Sequence, residues 1–154
     1  MKIYIGTDHA GFELKEELKI FLEKLGCEVD DKGAYEFNEA DDYPDFIFPV
    51  VKAVAEDIAR DLGSRGIVIG GSGQGEAIVA NKVKGIRAAV VYDEYSSEMS
   101  RKHNDANIIS LGNRTLAVSK AKELVKLWLE TPFSNDERHK RRIEKIKTIE
   151  NDNL

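Results

Sequence analysis

A single cysteine, Cys27, stands in 154 residues. The chain therefore forms no internal disulfide, and this cysteine usage suits a reducing cytoplasm. Histidine is scarce too: there are three, and no His-x-x-His or Cys-x-x-Cys spacing suggests a metal site. No run of about 18 apolar residues occurs, so no membrane-spanning helix is expected. The opening "MKIYIGTDHAG" reads as a strand and a turn rather than a signal peptide. Internal repeats, low-complexity tracts and linkers are also missing.

What the chain does have is enough apolar residue, 42%, for one buried core. Its length favours one domain over 1–154, with 137–154 as a basic C-terminal helix and tail. The net charge of −5 is unevenly placed. Residues 138–147, "RHKRRIEKIK", carry six Lys/Arg against one Glu, which leaves 17 basic against 27 acidic residues elsewhere. A basic tail on an acidic body argues against general nucleic-acid binding and allows a local anion site.

Apolar runs alternate with amphipathic segments. Strands are expected at 2–6, weakly at 27–29, and at 66–70, 86–92 and 107–112. The run "GIVIG" is almost wholly apolar, as a strand covered on both faces should be. Helices are expected at 12–25, where Leu14, Leu18, Phe21, Leu22 and Leu25 form a stripe, and after an acidic loop at 30–42, with Pro44 in the first turn. Further helices are expected at 74–83, 94–104, 115–130 and 137–149. Five β-α repeats imply a parallel sheet wrapped by helices, an α/β fold. Ligands of such sheets sit beyond the carboxyl ends of the strands, which singles out "TDHAG", "GGSGQGE", "YDEY" and "LGNR".

Four glycines fall within residues 70–75. No Gly-Lys-Ser/Thr closes this run, and Glu76 stands where a dinucleotide fingerprint needs its third glycine. What is left is a set of backbone N–H groups at a helix start, able to hold an anion or an oxyanion; the plainer alternative is a tight packing turn. Glu76 either complements the helix dipole or serves as a general base beside that nest, an arrangement suited to proton abstraction next to a carbonyl. His9 and His103 are expected at the ligand edge, and His139 lies in the basic tail; any of the three could equally be an inert surface group. Arg114 follows the fifth strand. Arg138 and Arg142 lie four apart on one helix face, as a clamp for a phosphate dianion or simply as part of a solvated basic surface.

With "IGTDHAGFELK", "DYPDF", "GGSGQGEAIVANKVKGIRAA", "SRKHNDANIISLG" and "TPFSNDERHKRRIEKI" in place, the chain resembles, over nearly its whole length, the ribose-5-phosphate isomerase B family. That group also takes in sugar-phosphate isomerases of the lactose pathway. The resemblance implies a three-layer α/β/α Rossmann-like fold with a five-stranded parallel sheet and an extra C-terminal helix. It implies a homodimer or dimer of dimers with active sites between subunits, and no metal or organic cofactor. The reaction implied is the aldose-ketose interconversion of ribose 5-phosphate and ribulose 5-phosphate through a cis-enediolate. By motif, Asp8, His9 and Tyr43 should contact substrate. His103 should assist ring opening, with Asn104 beside it and Ser72 assisting. Gly71, Ser72, Gly73, Gln74 and Gly75 should hold the enediolate oxygens. Arg114, Arg138 and Arg142 should bind the anionic groups, the last two chiefly phosphate. Many members of the family carry a cysteine base where this chain has Gly70; a second branch carries glutamate at the position of Glu76, and this sequence looks like that branch. Two other readings stand beside this one: isomerisation of a six-carbon sugar phosphate (galactose 6-phosphate or allose 6-phosphate), and a non-catalytic sugar-phosphate-binding protein.

Overall fold

A computed structural model describes residues 1–152; Asn153 and Leu154, the end of the expected tail, lie outside the described residues. Five strands, β1 (Lys2–Thr7), β2 (Glu28–Asp31), β3 (Arg65–Gly70), β4 (Ala88–Val90) and β5 (Ile108–Gly112), pair in the order β2-β1-β3-β5-β4. Every pairing is parallel. The helices are α1 (Phe12–Lys24), α2 (Tyr43–Ala59), α3 (Gln74–Ala80), α4 (Glu94–Asn104), α5 (Val118–Glu130) and α6 (Glu137–Asn151).

Alternation along the strands divides the interior in two. Ile3, Ile5, Ile67, Ile69, Ile109 and Leu111 pack with Leu14, Leu18 and Leu22 of α1 and with Leu124, Val125 and Trp128 of α5. Tyr4, Val68 and Ile108 face the other way, against Ile47, Val50, Val51 and Val54 of α2 and Ala80 of α3. Both faces of the sheet are thus covered, which is why its central strands read as unbroken apolar runs. α4 rests on α5, and α6 on α4.

The polar sequence of α4 still buries one face. Asp93 and Ser96 cap its start reciprocally, with Ser96 N–H donating to Asp93 Oδ1 at 2.7 Å and Asp93 N–H to Ser96 Oγ at 3.1 Å. Ser97 is buried and donates its hydroxyl to the Leu124 carbonyl at 2.8 Å. Arg101 is buried as well; it donates to the Ala106 carbonyl at 2.8 Å and pairs with Asp105 at 2.8 Å. A satisfied polar seam replaces an apolar one here.

Several boundaries differ from the sequence expectation. β4 is only Ala88–Val90; Ile86 and Val91, the apolar residues flanking it, are buried outside the strand. β2 extends through Asp31 into the stretch expected as loop; Asp31 accepts from the fully buried Lys15 at 2.5 Å and from Lys19 at 2.7 Å, tying the strand to α1. α3 ends at Ala80 and α5 starts only at Val118.

The strand order reverses between β1 and β3, and such switch points leave a crevice at the carboxyl edge. Thr7 pairs with Ile69 and Gly70 with Gly112. The segments starting at Asp8, Gly71 and Asn113 therefore leave the sheet side by side.

Candidate active site

Asp8 follows β1 directly and is buried. Its Oδ1 accepts the Ala10 N–H at 3.0 Å and caps the short 3-10 turn His9–Gly11. Beneath it, Thr7 donates its hydroxyl to the Ile69 carbonyl at 2.8 Å, fastening β1 to β3 next to the site.

The loop after β3 is fastened to the segment after β5. Asn113 and Arg114 N–H groups donate to the Gly70 and Gly71 carbonyls at 2.9 and 3.0 Å. Buried Ser110 donates its hydroxyl to the Gly73 carbonyl at 2.6 Å. Gly73 has φ 79°, a left-handed turn that favours glycine, and a Cβ there would lie 3.1 Å from the Leu111 carbonyl carbon. The chain then enters α3 through this glycine turn. Ser72 is exposed, and its Oγ accepts the Gln74 N–H at 3.3 Å. The Tyr43 ring, at the head of α2, stands over Gly75: a Cβ at 75 would be 2.8 Å from its Cζ. The Arg114 guanidinium lies over Gly71.

Glu76, in the first turn of α3, is 5% exposed. Its carboxylate lies under Gly70, where a Cβ would fall 1.8 Å from Oε1 and 2.2 Å from Cδ. Burial pushes the Glu76 carboxyl above the usual range; its own backbone N–H opposes this, and the charge of Asp8 adds to it. Of the two opposed influences visible in the sequence, helix terminus and burial, burial prevails. The result is a desolvated carboxylate beside a cluster of backbone donors, the pairing needed for removing a proton next to a carbonyl.

His9 is held by a residue that sequence reasoning missed. Asp41, at the end of the acidic loop, takes His9 Nδ1–H on Oδ1 at 2.6 Å and the His9 backbone N–H on the same oxygen at 3.1 Å. Nothing in the sequence pattern points to Asp41, since it lies 32 positions from His9, beyond α1 and β2, in a loop without periodicity. Asp8, His9 and Asp41 place their ligand atoms within 4.8 Å of one another. A cation held by all three would compete with the His9–Asp41 bond and with the Asp8 cap, so hydrogen bonding already accounts for the cluster.

The remaining candidates lie elsewhere. His103 and Asn104 close α4, just before β5 begins, and so stand at the amino edge of the sheet. The expectation that His103 shares the ligand edge is thereby corrected: in a parallel sheet a residue that precedes a strand lies opposite one that follows it, and α4 carries the chain back about 16 Å over its length. Around His103 the structure gathers α6. The His139 and His103 rings stack at 4.3 Å with 14° between planes. His139 is buried, and burial, then the His103 and Arg138 charges, hold its imidazole below the usual range. Arg138 donates to His139 Nε2 at 3.2 Å. Arg138 and Arg142 are exposed on the same helix. Two groups result, one at the carboxyl edge around Glu76 and one at the amino edge around His103.

Such a fold and site define a class, the α/β enzymes that hold small molecules beyond the carboxyl ends of a parallel sheet. Comparison with known proteins narrows it. The chain belongs to the family described as Ribose/Galactose Isomerase, which matches residues 3–146. It is 42% identical to ribose-5-phosphate isomerase B of Mycolicibacterium paratuberculosis over 144 residues, covering 94% of this chain and 88% of that protein. The structure of ribose-5-phosphate isomerase B from Clostridium thermocellum superposes with a TM-score of 0.92 at 47% identity, covering 100% of each chain. That of the Mycoplasma genitalium enzyme, solved with bound ribulose 5-phosphate, superposes with a TM-score of 0.92 at 37% identity, covering 97% of this chain and 96% of the other. Among the described residues, no helix is long and apolar enough to cross a membrane.

Proposed function

We propose that the chain interconverts ribose 5-phosphate and ribulose 5-phosphate, with Glu76 as the base. The carrying observation is the buried Glu76 carboxylate, seated under Gly70 at the glycine turn that opens α3. Glu76 removes the C2 proton of the open-chain aldose. The C–H electron pair becomes the C1=C2 bond, and the carbonyl oxygen takes the charge as a cis-enediolate held by the loop. The O2 hydroxyl proton then passes to O1, and as C2–O closes to a carbonyl the C1=C2 electron pair takes the proton back from Glu76 at C1, which leaves the ketose. General-base catalysis supplies about 10²–10⁴ in rate and each oxyanion donor about 10²–10³, so the two together reach an enzymatic scale. A side chain at position 70 and the observed Glu76 carboxylate exclude each other sterically, which supports placing this chain in the glutamate branch.

His103 is assigned to ring opening and Arg138 and Arg142 to phosphate. Since these stand at the opposite edge from Glu76, they act on the substrate bound at the Glu76 site of a second copy. The working unit is then at least a homodimer with two shared sites. Asp8, His9, Tyr43, Asn104 and Arg114 contact the sugar phosphate, and Ser72 does so while holding the start of α3.

The test is Glu76→Gln, nearly isosteric, assayed with a panel of ribose 5-phosphate, galactose 6-phosphate and allose 6-phosphate and by solvent deuterium uptake. Loss of about 10²–10⁴ in kcat on the five-carbon substrate is expected. Near-wild-type isomerisation by the variant removes Glu76 as base. Preference for a six-carbon sugar reassigns the substrate, and absence of deuterium uptake by the parent protein leaves only a binding role.

A further inference from the structure

The function proposed above uses His9 as a substrate contact but does not say what fixes it. His9 lies in a 3-10 turn of three residues, His9–Gly11, and a ring there has no helix or strand to hold it. Asp41 supplies the constraint. One of its oxygens, Oδ1, takes both the ring Nδ1–H and the backbone N–H of His9, so the ring is anchored at two points. Its other oxygen, Oδ2, is buried and has no hydrogen-bond partner among the described residues. The Asp41 side chain is only 7% exposed. Phe37, from the same loop, meets the His9 ring edge-on at 6.2 Å.

A carboxylate this deeply desolvated, with one oxygen unsatisfied, is costly unless a cation faces it. The cation available is the imidazolium of His9. We propose that Asp41 is a positioning residue for the isomerase: it orients His9 through Nδ1 and keeps Nε2 as a charged hydrogen-bond donor for the phosphorylated substrate. This inference rests on the substrate role of His9 given above.

The surrounding charges agree. The hydrogen bond to Asp41 is the largest influence raising the His9 imidazole above its usual value; burial opposes it, Asp8 and the Asp41 charge add to it, and Arg114 opposes it. Those three, Asp8 from the end of β1, Asp41 from the loop and Arg114 from the segment after β5, are the charged groups acting on the ring. Arg114 is the smallest of these influences and disfavours the imidazolium; the Asp41 carboxylate on the other side of the ring offsets it. Asp41 also stands two residues before Tyr43. The same loop end thus sets the His9 ring and delivers the Tyr43 ring to Gly75.

The experiment is Asp41→Asn, which keeps the shape and an oxygen acceptor and removes the charge. The imidazole titrations of the parent and the variant are followed by NMR, with the His9 signal assigned by its loss in His9→Gln. In parallel, KM and kcat for ribose 5-phosphate are measured from pH 6 to 9. The His9 midpoint is expected to fall in the variant, because the anion behind the ring is gone. The sign follows: the parent His9 stays protonated at pH values where the variant His9 is already neutral. KM of the variant should therefore rise about tenfold above its own midpoint and approach the parent value below it, with kcat little changed. An unmoved His9 midpoint overturns the proposal. So does a KM penalty equal at all pH values, which is what a merely structural loop contact would produce, or a loss confined to kcat. A parent protein that isomerises none of the sugar phosphates overturns the functional reading instead, and the His9 midpoint then decides the Asp41 pairing by itself.

Discussion

At the scale of single residues, the site turns on the contact between Gly70 and Glu76. The absent side chain at 70 is what lets a carboxylate sit buried against the backbone. Gly70→Ala would place Cβ 1.8 Å from Oε1, and the group that must give way is the end of a flexible side chain rather than a backbone. The fold should survive and the base should be displaced: kcat/KM is expected to drop about 10²–10⁴ while the melting temperature changes little. The activity loss in Gly70→Ala combined with Glu76→Gln should be no larger than in either alone, because both act on one group. Additive losses would mean that Gly70 matters for some other reason. The raised Glu76 carboxyl gives a second expectation. Its base form appears only as pH climbs through a value above the ordinary glutamate range, so kcat/KM should rise over that span in the parent enzyme. Stability runs the other way. A carboxyl whose folded value is raised favours the protonated fold at low pH, and that advantage is lost as pH rises through the folded value. Glu76→Gln should therefore gain melting temperature relative to the parent as pH goes from 4 to 7, a gain that thermal scans at several pH values will show or deny. The glycine cluster and Glu76 were legible in the sequence because they lie on one continuous turn. Asp41 was not, since it is brought to His9 by a loop with neither periodicity nor motif.

At the scale of elements, α6 is a separable part of the molecule. It rests on α4 through His139 and Ile143, and neither of these belongs to the two sheet-facing clusters. Removing 137–154 should leave the sheet folded, with circular dichroism close to the parent, and should raise KM for the phosphorylated sugar at least tenfold by deleting Arg138 and Arg142. An unchanged KM would take phosphate binding away from this helix. The strands and helices themselves were largely readable, because apolar runs and 3.6-residue stripes survive tertiary folding. The failures have physical causes. β4 was overestimated because apolar residues on either side of it, Ile86 and Val91, are buried without belonging to the ladder. The helix at 94–104 was placed correctly without an apolar stripe; its buried seam is formed by serine hydroxyls and Arg101 instead.

At the scale of the whole molecule, the direction of the chain matters more than proximity in sequence. Loops that follow β1, β3 and β5 collect at the carboxyl edge, whereas His103 precedes β5 and is carried to the other. The sequence showed every one of these residues, but their division between two edges became visible only when α4 was laid along the sheet. If Glu76 and His103 serve one substrate, they come from different copies, and this has a consequence that a site within one chain lacks. Glu76→Gln and His103→Gln should each be nearly inactive as pure proteins. A heterodimer of the two pairs an unaltered Glu76 from one copy with an unaltered His103 from the other at one of its two sites, and both changes fall together at the second. Random exchange at equal concentration makes half of the dimers hybrid, so the mixture should recover about one quarter of parental activity under two-fold symmetry. Native mass spectrometry verifies that hybrids have formed. Verified hybrids that stay inactive would place both residues in a single-chain site, and a His103→Gln protein that is active on its own would remove His103 from the chemistry, whereas activity recovered from two inactive parents requires that the substrate lie between copies.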